Sequence, residues 1–242
     1  MASIRKTVIV TGASQGIGAG VANLFLERGY NVVANSRRIS EKNELQRSDN
    51  LALVDGDVAL PLTADKIVET ALKRFGAVDV LVNNAGMFIS KPFTDYTSED
   101  FRALSSTNIE GFLYITQGVI RQLLSKKNPG SVVNITASLA DHPLAALPAS
   151  VAMITKGGIN AISLSLALEY AKNGIRVNAI APGVVDTPLL AGVPKDFLRS
   201  LSPSAQIGAS KDIAEAALYL SEATQVTGEI LHVNGGSHVG NW

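Results

Sequence analysis

Three glycines stand close together near the start of the chain, in the stretch TVIVTGASQGIG. Gly12, Gly16 and Gly18 follow an apolar run and precede an amphipathic one, so they lie between a predicted strand and a predicted helix. Glycine allows a tight turn and lets backbone N–H groups at a helix N-terminus approach an anion such as a pyrophosphate. A purely structural turn is the alternative. The position directly after the first strand favours a phosphate-binding loop.

A second chemical candidate is Lys156, in the stretch SVAMITKGG at the start of a helix rich in Ala, Gly and Ser. An unpaired ammonium group is costly to bury in such an apolar helix, so a bound partner explains this lysine well. A lysine that reaches solvent along the helix surface is the alternative. Four residues earlier stands Ala152, whose methyl group cannot move a proton.

The elements that would position these residues alternate between short β-branched runs and longer amphipathic runs. The short runs are almost continuously apolar, which is typical of parallel strands covered on both faces: TVIVTG, YNVVANS, NLALVDGD, VDVLVNNAG, GSVVNIT, IRVNAIAPG and GEILHVNGG. Helices are predicted over residues 16–28, 64–75, 109–125, 150–172 and 211–221. This βαβα alternation predicts an α/β fold with a doubly wound parallel sheet.

No repeat, low-complexity tract or linker interrupts the pattern, so we predict one domain over residues 1–242. Residues 187–210 are the least regular segment and contain three prolines, Pro188, Pro194 and Pro203. A loop of that length within a compact domain is typical of a mobile lid or binding loop.

Bulk composition excludes several classes of protein. Lys plus Arg and Asp plus Glu both total 21, so the zero net charge gives no reason to expect a nucleic acid or an anionic membrane as partner. With no cysteine, disulfide scaffolds and thiolate metal sites are excluded, and no metal site is predicted. The N-terminus has no apolar signal-peptide core, and we expect no apolar run to reach the length of a membrane span. We therefore expect a cytoplasmic protein.

The glycine-rich stretch TGASQGIG is followed in register by five further motifs, DGDV, NNAG, TNIEG, IAPGVVDTP and TGEILHVNGG. Together the six motifs resemble those of the short-chain dehydrogenase/reductase family over the whole chain. The resemblance implies a Rossmann-type sheet of seven strands in the order 3-2-1-4-5-6-7, with a dinucleotide across the carboxyl ends of the strands.

The same resemblance implies which residues border the cofactor. Those around the pyrophosphate and the adenosine ribose are Gly12, Ser14, Gln15, Gly16, Ile17 and Gly18. Those that contact adenine are Asp57 and Val58, and those on the ribose side are Asn84, Ala85 and Gly86. Those that border the nicotinamide are Gly183, Val185 and Thr187, while Lys156 holds the nicotinamide ribose.

The end of the second predicted strand bears on the choice between NAD and NADP. An acidic residue there binds both ribose hydroxyls and repels a 2′-phosphate. This chain has Ser36 at that position, followed by Arg37 and Arg38. A hydroxyl beside planar guanidinium groups suits a phosphate dianion, so NADP(H) is predicted in preference to NAD(H). A solvated basic turn is the alternative.

In this family an Asn, a Ser, a Tyr and a Lys act together at the reacting centre. Asn108 and Lys156 match two of these positions, whereas Ala152 occupies that of the tyrosine. The serine motif reads NITAS, which puts Ala137 in the serine register; Ser138, one residue later, is the serine candidate if the loop is longer by one residue.

His142, in the stretch SLADHPLAALPAS, is the candidate substitute proton donor, because histidine donates protons near neutral pH. A surface histidine without chemistry is the alternative. His232, inside the last predicted strand, and His238, in the tail, are expected to lie away from the reacting centre.

Three hypotheses follow for the function. The first is an NADP(H)-dependent oxidoreductase with an atypical proton path, acting on a carbonyl, alcohol or conjugated substrate. The second is a catalytically inactive NADP-binding protein, and the third is a partner subunit. Relatives commonly assemble through the helices that correspond to residues 109–125 and 150–172, which implies a homodimer or homotetramer.

Overall fold

The computed structural model describes residues 5–239, and the ends of the predicted domain lie outside that range. Its sheet has seven parallel strands in the order β3-β2-β1-β4-β5-β6-β7, which confirms the predicted fold class. The strands are β1 Thr7–Thr11, β2 Asn31–Ser36, β3 Leu51–Asp55, β4 Val80–Asn83, β5 Gly130–Ile135, β6 Ile175–Pro182 and β7 Ile230–Val233. Strand β1, between β2 and β4, is buried along its whole length, as its continuous apolar run predicts.

Helices cover both faces of this sheet. They are α1 Gly16–Glu27, α2 Pro61–Phe75, α3 Ser98–Ser105, α4 Gly111–Lys126, α5 Ser150–Tyr170, α6 Lys195–Ser200 and α7 Ser210–Glu222. Helices α1 and α7 pack on one face, around a core that includes Phe25 and Ile213. Helices α2, α4 and α5 pack on the other face, around a core that includes Ile67, Ile115 and Val177.

The five predicted helices are present, and the structure adds α3 and α6. Helix α3 begins with a capping box, because the Thr97 side chain accepts the Asp100 N–H while the Asp100 carboxylate accepts the Thr97 N–H. This Thr-x-x-Asp spacing is visible in the sequence and could have revealed the helix. Between α3 and α4 the chain forms a short π-helix, Ser106–Glu110, which frequently marks a functional site.

One helix has the length and apolar composition of a membrane span, a test that the core helix of a globular domain also passes. By length and composition Ser150–Asn173, which contains α5, would be sufficient to cross a membrane. In the fold α5 packs against β6, with Ile159, Ser163 and Ala167 buried. Its other side exposes Ile154, Leu164 and Leu168.

A buried network of polar side chains joins the middle of the sheet to α4 and α5. The Asn83 amide on β4 donates to Thr116 Oγ1 on α4 and to Asn134 Oδ1 on β5, both at 2.9 Å. The Asn134 amide donates in turn to Ser163 Oγ on α5 at 2.8 Å. In a dry interior such a network holds neighbouring elements in one register, because each unmade hydrogen bond is costly.

Replacement of Asn134 by alanine should therefore destabilise the protein by about 1–3 kcal/mol, because it removes one of the two hydrogen bonds that the Asn83 amide donates and the one that the Ser163 hydroxyl accepts. Chemical denaturation measures the change. The exposed Asn128→Ala is the control and should stay within about 0.5 kcal/mol of the original chain. Equal stabilities of the two variants would show that the network does not stabilise the fold.

Candidate functional site

The glycine-rich turn between β1 and α1 lies at the carboxyl edge of the sheet, pressed against the end of β4. Gly12 has a φ of +64°, and a Cβ there would lie 2.8 Å from Ala85 Cα. A Cβ on Gly18 would lie 2.3 Å from the Gly12 carbonyl oxygen. Only glycine fits both positions without moving backbone, so the sequence expectation of a close backbone turn here agrees with the geometry.

Hydrogen bonds of Asn84, which comes directly after β4, hold this turn against the end of that strand. Its amide donates to the carbonyl oxygens of Thr11 and Gly12 at 3.0 and 3.1 Å. The Thr11 hydroxyl accepts the backbone N–H groups of Asn84 and Ala85 at 3.1 and 3.0 Å. The predicted residues of β4 and of the glycine turn are thus brought together by hydrogen bonds.

The first turn of α1 keeps N–H groups that its own side chains do not satisfy. Gln15, at the N-cap position, makes no side-chain capping bond, and the first turn holds no acidic residue. An α-helix start of this kind has a partial positive charge and attracts anions. A Cβ on Gly16 would lie 3.3 Å from the Thr187 side chain, so the segment after β6 comes directly over this turn. The geometry therefore suits the phosphate groups of a dinucleotide.

The remaining residues predicted near the nucleotide surround this turn. Ser36 ends β2 and pairs with Asp55 on β3, and both Arg37 and Arg38 are exposed. The Arg38 guanidinium lies 3.8 Å from the Glu41 carboxylate. Two basic side chains are therefore available beside Ser36, with one of them near an acidic neighbour.

Asp57 and Val58 have local structural partners. Asp57 Oδ1 accepts the Ala59 N–H at 3.0 Å, which stabilises the turn before α2. Val58 is buried, and a Cβ on Gly111 would lie 2.6 Å from its side chain. Beyond β6, a Cβ on Gly183 would lie 2.8 Å from Asn234 Cα, and Val185 forms an isolated bridge with Gly208. The predicted nicotinamide border thus contacts the segment that follows β7.

Lys156 and Asn108 meet beside Gly86. A Cβ on Gly86 would lie 3.1 Å from Lys156 Nζ and 3.3 Å from Asn108 Oδ1. The Lys156 ammonium donates to the Ile135 carbonyl at 2.9 Å, at the end of β5. Lys156 as a whole is partly exposed, but its ammonium group is buried, and this loss of hydration lowers its pKa to about 8. A strand end, a helix and the π-helix therefore converge on one polar group.

Asn108, on the π-helix, uses its whole amide group to hold other segments. Its Oδ1 accepts the Met87 N–H at 2.8 Å, and its Nδ2 donates to the Met87 carbonyl at 3.1 Å and to Thr155 Oγ1 at 2.9 Å. The Thr155 hydroxyl donates to the Ala152 carbonyl at 2.7 Å. Asn108 thus orients α5 one residue before Lys156.

Ala152 is 1% exposed and belongs to a small apolar cluster. Its neighbours in that cluster include Leu104, Ala149 and Val151, with Met87 and Phe88 packed against them. Tyr96 also packs against this cluster, and its hydroxyl donates to the Ile89 carbonyl at 2.6 Å. Position 152 is therefore a packed apolar contact, one helical turn before the lysine.

The segment after β5 turns at Ser138, which is buried and opens a short 3₁₀ turn, Ser138–Ala140. Its carbonyl oxygen accepts the N–H groups of Asp141 and His142 at 3.2 and 2.9 Å. Ser138 therefore fixes the path of the chain toward His142, the predicted substitute donor.

All three histidines of the chain lie together, although they come from three separate segments. The His142 ring centroid is 5.9 Å from that of His232 on β7 and 5.8 Å from that of His238 in the following tail. The rings of His232 and His238 stack at 4.1 Å, with 13° between their planes. His232 and His238 are therefore neighbours of His142, because the carboxyl end of β7 turns back toward the segment after β5.

Polar neighbours surround this histidine cluster. His232 Nε2 lies 3.5 Å from an Asp141 oxygen, and the Asn160 amide, on α5, donates to both oxygens of that carboxylate. Asn234 Oδ1 lies 2.9 Å from His238 Nδ1. Within residues 5–239 no group of three His, Cys, Asp or Glu side chains is placed to hold a metal ion.

The surroundings of His238 affect its protonation. Partial burial and the neighbouring His232 and His142 lower the pKa of His238 below its ordinary value. The folded protein therefore binds a proton at His238 less readily than the unfolded chain does. Stability from this group is present above the ordinary histidine pKa, near 6.5, and is lost as the pH falls below it.

Replacement of His238 by alanine should flatten the loss of stability between pH 7.5 and 5.5. Thermal unfolding at several pH values measures this slope, with Val239→Ala, at the exposed neighbouring residue, as the control. The same slope in both variants would show that protonation of the cluster does not affect folding.

Comparison with known proteins identifies the family. The model of a family described as "Enoyl-(Acyl carrier protein) reductase" matches residues 12–238. The chain is 37% identical to 3beta-hydroxysteroid dehydrogenase 1 of Eggerthella lenta, covering 96% of this chain and 93% of the relative. The fold matches the structure of ElxO with NADP bound, at a TM-score of 0.86 and 28% identity over 96% and 98% of the two chains.

It also matches the 3-ketoacyl-(acyl-carrier-protein) reductase of Brucella melitensis complexed with NADH, at a TM-score of 0.87 and 29% identity over 98% and 100% of the two chains. The family match, the sequence relative and the arrangement of the sheet agree with one another. The chain belongs to the short-chain dehydrogenase/reductase family.

Proposed function

We propose that this protein is an NADP(H)-dependent oxidoreductase with an atypical proton path. The observation that carries the proposal is the arrangement of the residues at the carboxyl edge of the sheet. There the glycine turn leaves no room for side chains, and Lys156 Nζ and Asn108 Oδ1 converge beside Gly86. Two of the similar structures hold NADP and NADH, which supports a nicotinamide dinucleotide as the cofactor.

In this proposal the glycine turn, with Ser14, Gln15 and Ile17, binds the pyrophosphate and the adenosine ribose. Asp57, Val58 and Ala85 border the adenosine, while Gly183, Val185 and Thr187 border the nicotinamide. When bound, the nicotinamide donates or accepts a hydride. The preference for NADP(H) rests on Ser36, Arg37 and Arg38, since exposed guanidinium groups beside a hydroxyl can pair with a 2′-phosphate.

Lys156 would hold the nicotinamide ribose through its ammonium group. Its lowered pKa, about 8, still leaves this group charged at neutral pH, so it also stabilises negative charge that develops nearby. Asn108 positions the helix that carries Lys156 through its bond to Thr155. Both residues therefore prepare the site, and neither needs to move a proton itself.

The proton requires another carrier, because Ala152 stands where the resemblance implies a tyrosine. We propose that Ser138 hydrogen-bonds the substrate oxygen and that His142 donates or accepts the proton. The backbone N–H of His142 donates to the Ser138 carbonyl, which holds the residue at this turn. His142 is exposed, so a substrate can reach its ring. A conjugated substrate, or one with its own hydroxyl, would lessen the need for such a donor.

The substrate belongs to the carbonyl, alcohol or conjugated class. The family description and two similar proteins are named for acyl-carrier-protein and steroid chemistry, which share carbonyl or hydroxyl groups and little else.

We also propose a single cytoplasmic domain with a lid over residues 187–210. The exposed side chains Ile154, Leu164 and Leu168 on α5, with Leu113 on α4, support a homodimer or homotetramer through these helices.

The proposal is tested by the oxidation of NADPH with a panel of ketones, enones, quinones and oxoacyl thioesters. We expect turnover with at least one class, and we expect His142→Gln to lower the rate by roughly 10²- to 10⁴-fold without weakening NADPH binding. No oxidation with any class would refute the reaction. Failure to bind either NADPH or NADP⁺ in a titration would refute the cofactor as well.

An inactive NADP-binding protein or partner subunit is the second candidate, and the burial of Ala152 among apolar side chains favours it. It predicts that NADP(H) binds while the whole substrate panel stays unreacted. A homo-oligomer that recruits no related chain in a pulldown would count against a hetero-assembly role.

Ala152→Tyr should raise the rate of reduction of a simple ketone, because it supplies the missing proton donor beside Lys156. It should also cost about 1–3 kcal/mol of stability, since the position has no spare volume. Ala152→Phe is the matched control, with the same bulk but no hydroxyl. Equal rates in the Tyr and Phe variants would show that position 152 does not face the reacting atoms. Activity in the Tyr variant alone would support the second candidate.

A further inference from the structure

The connection between β2 and β3 is an ordered, non-helical segment, residues 37–50, within the described chain. A crossover between parallel strands usually contains a helix, so its path here is set by individual contacts. Ile39 is fully buried, Leu45 packs against the core beside α1, and the Ser40 hydroxyl donates to the Asp55 carboxylate. The segment is therefore held along the outer side of α1.

Glu44 is the residue of this segment that touches the glycine turn. Its backbone N–H donates to the Ser14 carbonyl at 2.9 Å, and its own carbonyl accepts the Asn23 amide at 3.0 Å. Asn23 Oδ1 also accepts the Gln46 N–H at 2.9 Å. These bonds on both sides fix the backbone of Glu44 against the turn and the first helix.

The Glu44 side chain then places a negative charge at the start of α1. Its Oε2 accepts the Gly16 N–H at 3.3 Å, while the rest of the side chain is exposed. Helix α1 lacks an acidic residue in its first turn and a side-chain cap, so this carboxylate fills a role that the helix itself does not supply. It also stands among the residues to which we assign the adenosine ribose.

We propose that Glu44 determines the discrimination between NADP(H) and NAD(H), in opposition to Arg37 and Arg38. The inference rests on the proposed function, because it concerns the same cofactor site. A carboxylate at this position repels a 2′-phosphate and can accept hydrogen bonds from a free ribose diol. The Arg38 guanidinium lies 3.8 Å from the Glu41 carboxylate, so Glu41 already offsets part of the positive charge that follows β2.

This arrangement has a consequence for the affinity of each cofactor. Both cofactors bring the pyrophosphate to the glycine turn, where the Glu44 carboxylate must leave Gly16 or remain beside like charge. NADP(H) alone adds a 2′-phosphate dianion, so the carboxylate disfavours NADP(H) by more than it disfavours NAD(H). Glu44 therefore reduces the advantage that the two arginines give to NADP(H). The ratio of NADP(H) affinity to NAD(H) affinity is smaller than the arginines alone would produce.

The test is to titrate NADPH and NADH into the full chain and into Glu44→Gln at low ionic strength, with cofactor fluorescence as the signal. Glutamine keeps an acceptor for the Gly16 N–H and removes only the charge. We expect the dissociation constant for NADPH to fall about 3- to 10-fold, that for NADH to fall by less or to rise, and the change in their ratio to shrink in high salt.

Glu69→Gln is the matched control, because it removes one exposed carboxylate from α2, away from the glycine turn. Glu44→Lys is a second variant, and it should tighten NADPH binding further if it folds. A ratio of NADPH to NADH affinity that is the same in Glu44→Gln and Glu69→Gln would overturn the inference and leave Glu44 as a helix cap. Absence of binding of both cofactors to every variant, including the original chain, would overturn the proposed function and this inference with it.

Discussion

The hydrogen bonds between the ends of β1 and β4 are the constraint on which the site depends. The Asn84 amide donates to the carbonyl oxygens of Thr11 and Gly12. The Thr11 hydroxyl accepts the backbone N–H groups of Asn84 and Ala85. This contact stops both strands at the same level. It therefore places the glycine turn, which follows β1, beside the segment that follows β4. In that segment Gly86 lies next to Lys156 and Asn108.

The interior of the molecule is organised to keep that edge rigid. Asn83 and Asn134 link neighbouring strands to α4 and α5, and Asn108 links the π-helix to α5 one residue before Lys156. These are amide side chains in a dry interior, where an unmade hydrogen bond is expensive. The lysine is thus supported from several sides, whereas the position one turn earlier, Ala152, is only packed.

Charge is distributed around the nucleotide end of the site in two opposing groups. Arg37 and Arg38 follow β2, whereas Glu44 reaches the start of α1 from the connection to β3. The opposite end of the site, beyond β5, contains the histidine cluster and the Asp141 carboxylate. Acidic and basic groups of the chain therefore lie close to both ends of the region assigned to the dinucleotide and its substrate.

The sequence by itself determined the alternation of strands and helices and the place of the glycine turn, because nearly continuous apolar runs and glycines at strand ends depend on local periodicity and backbone freedom. It also located Lys156 and showed that no proton-carrying side chain stands at position 152. Helix α3 was within reach of the sequence through its Thr97–Asp100 capping box. All of these are properties of residues close together in the chain. The order of the strands followed from the resemblance of the six motifs to those of the family.

Tertiary structure alone decided the meeting of His142, His232 and His238, and the approach of Glu44 to Gly16. The first depends on β7 lying beside β6 and on the turn that follows it, and the second on a non-helical path between β2 and β3. No spacing in the sequence encodes either contact, since each joins segments whose separation is set by the packing of the whole sheet.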